Sequence, residues 1–459
     1  MDKSSRSALL FAVCMAHFMM PFMMSAVGVA LPTLGRDLDA SAQQLGLVET
    51  TYALAAAVFL LSMGRLGDIH GRKRIFVYGL LVFSLFGGLI SLSPNVEGVI
   101  VLRFFQGIGG AMVMATTIAM VVAAFPAKER GRALGIVVAS VYAGISCGPL
   151  TGGFLVEHFG WRSLFYMVLP LGLLTYVLVR TKIRQDWAES RGEPFDFSGA
   201  AMYAVAVLLL FSGVVNVDRG PWAWGLIGLG NIGLAGFLVF EARLPFPILN
   251  VTLLTRNRVF AFSNLAAMFN YAATFGITFF MSLYLQYVQG FSPQQAGAVL
   301  IISPVVQTIF SPACGRLADR VPAALVATTG MLFCAVALAL ASTLDAASSM
   351  VMVYALLVAL GTGFALFSSP NISTIMGSVP TRYLGVASGM NASMRTFGML
   401  SSMMIVTLVF TYVMPGVVVS AQSIDAFLHS MHISLMVFSA LCVVGIGCSL
   451  VRLKQAVEQ

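Results

Sequence analysis

"GRLGD" at residues 64–68 returns as "GRLAD" at residues 315–319, and "SAQQLG" at residues 41–46 returns as "SPQQAG" at residues 292–297. Both pairs stand 251 residues apart. Two matches at one offset mark an internal duplication. Each Ser-x-x-Gln reads as a capping box that opens a helix, each side chain accepting the other residue's backbone N–H. Each Gly-Arg-Leu-x-Asp closes the same helix. What lies between and beyond these landmarks decides the fold.

The composition first sets the solvent. Of the 459 residues, 59% are hydrophobic and 10% charged, with a mean hydropathy of +0.92. Soluble domains are about 45–50% apolar. Apolar runs that approach or exceed the ~18–20 residues needed to cross a bilayer recur along the whole chain. Backbone groups in lipid must be satisfied internally, and runs this long without alternation are helices. Fourteen spans are expected, at 8–31, 44–64, 75–93, 98–123, 133–156, 161–180, 199–217, 222–240, 259–286, 295–314, 321–342, 350–370, 384–413 and 428–451. The first has the charged start of a signal peptide, but its apolar run continues to Leu31, so a retained helix is expected.

Lys and Arg sort by side. With the N-terminus inside, the cytoplasmic segments hold Lys3, Arg6, Arg65, Arg72, Lys73, Arg74, Lys128, Arg130, Arg132 and the later basic residues through Arg316, Arg320, Arg382, Arg452 and Lys454. The opposite side holds Arg36, Arg162 and Arg219. This asymmetry predicts an even helix count and cytoplasmic termini. It also accounts for the net charge of +8 and the pI near 9.3 as topology, so no nucleic-acid partner is expected. The six cysteines, Cys14, Cys147, Cys314, Cys334, Cys442 and Cys448, fall in apolar runs without Cys-x-x-Cys or Cys/His spacing. They read as small core residues, with no metal and no cofactor.

The expected fold is an all-α polytopic membrane protein of fourteen helices. Residues 1–180 form an N-terminal six-helix bundle and 259–459 a C-terminal one, copies of one unit in the same orientation. Residues 181–258 carry polar linkers and two inserted helices. Parallel halves with a site near the midplane are the architecture of rocking transporters.

Several segments carry a family resemblance. "GRLGDIHGRKR", residues 64–74, looks like the signature loop of the major facilitator superfamily, Gly-x-Leu-x-Asp-x-x-Gly-Arg-Lys/Arg. "LRFFQGIGGA", residues 102–111, is similar to its second motif, with Arg103, Gln106 and Gly107 in register. "GISCGPLTGG", residues 144–153, resembles the antiport motif. "GWRSLFYMVLPLG" at 160–172 and "RYLGVASGMNASMRTFG" at 382–398 look like the fourteen-helix drug:proton antiporter branch. The resemblance covers essentially the whole chain. It departs in "FMMSAVGVALP", residues 22–32, where Met23 stands in place of the branch's acid.

The resemblance implies a gating loop of Gly64, Asp68, Gly71 and Arg72, with Gly315 and Asp319 as counterparts in the second copy. Gly64 and Gly71 are expected to permit tight turns, and the basic residues to lie at the anionic leaflet. Asp68 would dock near Arg382, where a helix N-terminus favours a carboxylate. Arg103 is a cation at membrane depth, which costs ~2.5–3.5 kcal/mol on insertion scales and points to function or to hydrogen bonding with Gln106. With the usual acid missing, Glu49 and His17 are the titratable candidates for carrying the coupling proton, histidine titrating close to neutral pH. Gly144, Gly148, Pro149, Gly152 and Gly153 suit either a hinge or close static packing. Met15, Met19, Met20, Met23 and Met24 offer adaptable apolar surface or filler. Met19, Met23, Tyr52, Asn270 and Arg395 are the candidates for lining a substrate cavity.

Two motifs mislead. "GISCG" matches the nucleophile elbow of hydrolases, but Ser146 falls within a predicted span rather than on a strand-to-helix turn. "NVT" at Asn250, "NIS" at Asn371 and "NAS" at Asn391 match glycosylation acceptors on or near the expected cytoplasmic side. The function implied is proton-coupled export of small amphipathic or drug-like compounds by a monomer in the cell (inner) membrane, not enzyme catalysis. The alternatives are proton-coupled uptake or facilitated movement of an organic or anionic metabolite, and an intramembrane serine hydrolase.

Overall fold

The computed structural model describes residues 3–249, 251–318, 320–379, 384–415 and 423–457. Among them there are helices and no strand. The helices are α1 (Lys3–Asp37), α2 (Ala42–His70), α3 (Arg72–Ser91), α4 (Val96–Ala124), α5 (Ala127–Phe159), α6 (Arg162–Lys182), α7 (Phe197–Val215) and α8 (Trp222–Glu241). They continue as α9 (Val251–Arg256), α10 (Arg258–Thr274), α11 (Gly276–Leu283), α12 (Pro293–Leu300) and α13 (Ile302–Ala318). The last four are α14 (Ala323–Ala341), α15 (Met350–Gly377), α16 (Leu384–Val413) and α17 (Ile424–Val457). Among the described residues, thirteen helices are long and apolar enough to cross a membrane. The expected span at 295–314 is the exception, divided at Ile301 into α12 and α13. Pro304 lies one turn beyond that division and offers no N–H to the carbonyl four residues before it.

Two compact units emerge. One comprises Met1–Ala40 and Leu47–Leu249, the other Ser41–Gly46 and Asn250–Gln459. The inserted helices α7 and α8 belong to the first unit, where the Tyr203 hydroxyl donates to the Ala57 carbonyl of α2 at 3.0 Å.

Both capping boxes form. Gln44 N–H donates to Ser41 Oγ at 3.3 Å and Ser41 N–H to Gln44 Oε1 at 2.8 Å. Ser292 and Gln295 repeat this pairing at 3.3 and 2.9 Å. The duplication also reaches the packing inside each unit. A Cβ on Gly79 of α3 would lie 2.9 Å from the Gly109 carbonyl of α4, and one on Gly330 of α14 would lie 2.6 Å from the Gly363 carbonyl of α15. Gly79 and Gly330 are themselves 251 residues apart. Glycine at such crossings lets two backbones approach where lipid supplies no hydrophobic drive.

The helices overrun the expected spans at their ends. α2 continues through Asp68 to His70 and α3 begins at Arg72, so Gly71 alone separates them. Gly64 is therefore helical and makes no turn, while Gly71 turns the chain at φ +113°. α17 likewise runs past residue 451, and Arg452, expected as a surface charge, is fully buried.

Gly109→Ala should destabilise the first unit by about 1–3 kcal/mol through overpacking, since its Cβ would fall 2.4 Å from the Phe83 backbone nitrogen. Gly228→Ala in α8, with nothing within 4 Å of its Cβ, is the neutral control. Thermal unfolding in detergent compares the two.

Candidate functional site

Arg103 sits in the third turn of α4 with no exposed surface. Its Nε donates to the Val48 carbonyl of α2 at 3.1 Å and its Nη1 to Gln106 Oε1 at 3.0 Å. The guanidinium carbon lies 4.5 Å from the centre of the Tyr52 ring. A cation over an aromatic face in a water-poor site gains about 2 kcal/mol or more. Glu49, beside Val48, is also buried and attracts Arg103 electrostatically, although among the described residues no direct ion pair joins them. Arg103 Nη2, Gln106 Nε2 and the Tyr52 hydroxyl are buried without a hydrogen-bond partner. Several expected residues thus converge on one polar cluster within the first unit: Arg103, Gln106, Glu49 and Tyr52. Gly110 keeps room for the Tyr52 hydroxyl, which would lie 2.6 Å from a Cβ there.

The other expected residues lie elsewhere. His17 is buried on α1. Met19 and Met23 are buried on the same helix. In α5, the face with Gly144, Gly148 and Gly152 packs on α1, where added Cβ atoms would fall 2.3 Å from the Phe18 carbonyl and 2.7 Å from the Ser25 and Ala26 Cβ atoms. Pro149 and Gly153 are buried in the same stretch, and Ser146 stands inside this continuous helix, so the nucleophile elbow does not form. In the second unit, Asn270 is fully buried beside the Cys334 thiol, with neither amide atom in hydrogen-bond geometry. Arg395 is partly buried on α16. Gly315 is helical in α13, 3.3 Å from Ser369 Oγ for an added Cβ, whereas Asp319 and Arg382 lie outside the described residues.

The charged motif around Gly71 is engaged by the polar linker that follows α6. Asp68 Oδ1 accepts from Arg72 Nε at 2.7 Å, and the Arg72 guanidinium also holds both oxygens of Glu189 at 2.9 and 3.1 Å. Asp186 Oδ1 accepts from the Lys73 backbone N–H at 2.9 Å, capping α3 from the linker because Gly71 supplies no side chain. Arg65 binds Glu193 at 2.6 Å and Ser190 Oγ at 3.2 Å. The backbones join as well, Arg72 N–H donating to the Trp187 carbonyl at 2.8 Å and Ser190 N–H to the Asp68 carbonyl at 3.0 Å. The basic residues expected at the lipid surface are in this structure met by linker acids. In the sequence Asp186, Glu189 and Glu193 are indistinguishable from a plain polar linker; their three- and four-residue spacing is the one signal that could match them to the basic motif.

Two duplicated helical units with a buried arginine cluster define a membrane transporter. The chain belongs to the Major Facilitator Superfamily, whose family model matches residues 13–403. It is 30% identical over 388 residues to the riboflavin transporter RibZ of Clostridioides difficile (strain 630), covering 84% of each chain. It is 32% identical over 377 residues to the multidrug resistance protein Stp of Mycobacterium tuberculosis (strain ATCC 25618 / H37Rv), covering 81% of this chain and 70% of that one. Its fold matches the in meso crystal structure of the POT family transporter PepTSo with a TM-score of 0.73 at 13% identity, covering 100% and 99% of the two chains. It is a multi-pass protein of the cell inner membrane and not an enzyme.

Gly71→Ala should cost about 1–3 kcal/mol, because the positive φ strains any side chain. The new Cβ would also fall 2.4 Å from Asp186 Oδ2. A lowered melting temperature that a second change, Asp186→Gly, partly restores is the expected result.

Proposed function

We propose that this protein exports small amphipathic or drug-like organic compounds by alternating access, driven by protons, as a monomer with both termini in the cytoplasm. The observation that carries this reading is the buried Arg103–Glu49–Tyr52–Gln106 cluster. A carboxyl group beside a permanently charged guanidinium can trade a proton for its attraction to that cation. Glu49 is therefore the carrier of the coupling proton, in the role left open by Met23, and it is preferred to His17 because its charge acts directly on Arg103. Arg103 attracts the carboxylate form and braces α4 against α2 through the Val48 carbonyl. The names of relatives support a broad substrate range, since they include a riboflavin transporter and a multidrug resistance protein. Asp68 is the gating carboxylate, and the glycine face of α5 is the flexible seam along α1.

Reconstitution in liposomes with an imposed pH gradient, using ethidium and riboflavin as cationic and uncharged probes, tests the reading. Moving one charge through 100 mV is worth ~2.3 kcal/mol, about a 50-fold gradient. Glu49→Gln should lose that accumulation while counterflow of the same probe persists. A Glu49→Gln protein that still accumulates its probe would place the coupling elsewhere. Arg103→Lys should lower turnover strongly and recover only part of the function lost in Arg103→Ala, because an ammonium lacks the planar fork that reaches Val48 and Gln106 together. Met23→Asp should strengthen proton dependence and favour ethidium over riboflavin; unchanged selectivity would exclude position 23 from the cavity.

A further inference from the structure

The linker between α6 and α7 carries its acids in register with the basic motif. Asp186 answers the start of α3 and, at 3.5 Å, Arg74; Glu189 answers Arg72; Glu193 answers Arg65. Lys73 Nζ also donates to the Ile183 carbonyl. Trp187 is buried between these contacts. A segment tied at both ends and anchored by a buried tryptophan is a docked strap. Glu189 by itself is a weak tie, since 66% of its side chain is exposed and exposed ion pairs contribute little. Its place in the network gives it leverage. Arg72 is 10% exposed at its side chain and has two carboxylate partners, Glu189 in the strap and Asp68 in α2. The same guanidinium therefore touches the strap and Asp68 at once.

We propose that residues 183–193 are a latch on the signature loop, and that Glu189, acting through Arg72, is a positioning residue for Asp68. This rests on the reading of Asp68 as the gating carboxylate. With the strap docked, Arg72 is stretched between two acids and holds Asp68 Oδ1 against the end of α2. With the strap released, Arg72 loses one anchor and Asp68 is free to swing. Because the coupling runs through one shared cation, it acts in both directions. Loosening the strap alters the gate, and removing the Asp68 charge loosens the strap.

The strap reports its own release. Lys182, Arg184 and Arg191 are exposed trypsin sites within or beside it, and cleavage there follows the population of the open form. Limited trypsin digestion of the full-length protein in nanodiscs, together with ethidium transport in liposomes, is the experiment. Glu189→Gln and Glu193→Gln should each raise cleavage at Arg184 and Arg191 roughly two- to fivefold, the size expected for partly exposed ion pairs. Asp68→Asn should raise it as well, although that residue lies outside the strap. Glu189→Gln should change turnover with KM unchanged. The reversed pair Arg65→Glu with Glu193→Arg should restore protection that each single change removes, which distinguishes a tie from general loss of structure.

Cleavage unchanged in Asp68→Asn overturns the coupling, and cleavage unchanged in both glutamine variants overturns the latch. Slow turnover in Asp68→Asn beside wild-type turnover in Glu189→Gln removes the positioning role and leaves the gate intact. Wild-type turnover in Asp68→Asn removes the gate itself, and the cleavage pattern of that variant still decides whether strap and carboxylate are linked. If a reversal variant fails to insert, wild-type cleavage in rising salt gives the same reading. Screening should open the strap, and salt-independent cleavage counts against it.

Discussion

Two helices in lipid gain nothing by hiding apolar surface from their solvent, so they hold together where their backbones come close. The crossings of Gly79 with Gly109 and of Gly330 with Gly363 meet that constraint in the two units. The α1–α5 contact meets it again through Gly144, Gly148 and Gly152. A further close approach of this kind positions the buried arginine of the first unit. Arg103 reaches the Val48 carbonyl only because Gly107 brings α4 against α2, where a Cβ would lie 2.6 Å from the Tyr52 carbonyl. Glycine at 107 is a packing requirement that sets the geometry of a charge.

The arginine itself is expensive. A buried guanidinium is tolerated when hydrogen bonds and a counter-charge offset its lost hydration. Here a carbonyl, a carboxamide, an aromatic face and a neighbouring carboxyl group share that task, and one nitrogen, Nη2, is left without a partner. A fully satisfied cluster would be inert. One with an unfilled donor beside a titratable group can change its bonding when the charge changes. Arg452 in the second unit is buried too, but it leans on Ser263 and Asn371, and no acid joins it among the described residues.

Much of this was legible in the residues. The offset of 251 residues gave the repeat, the apolar runs gave the helices, and the capping boxes formed where Ser41 and Ser292 required them. Arg103 with Gln106 was readable because the two stand one helical turn apart and both are polar in an apolar run. The division of the tenth span at Ile301 was hidden, since hydropathy does not register a missing N–H at Pro304. The linker escaped for a different reason. Its acids are ordinary on a solvated segment, and only the folded chain brings Glu189 beside Arg72 across 117 positions. Arg452 was misplaced because a cation just past an apolar run looks the same whether the helix stops or continues.

The duplication is not symmetric at the turn. The position 251 residues beyond Gly71 is Pro322, and Arg72 is matched by Ala323. Proline cannot adopt the φ of +113° that Gly71 uses, and Pro322 has φ −48°. The second copy therefore has neither the backbone bend that admits a capping carboxylate nor the guanidinium to receive one. The first unit thus holds a receptor for a segment of its own chain that the glycine and arginine of its turn make possible, and the second copy lacks both residues. Insertions and substitutions in the connection between α6 and α7 can therefore retune one half of the molecule alone, giving a duplicated scaffold a single adjustable part.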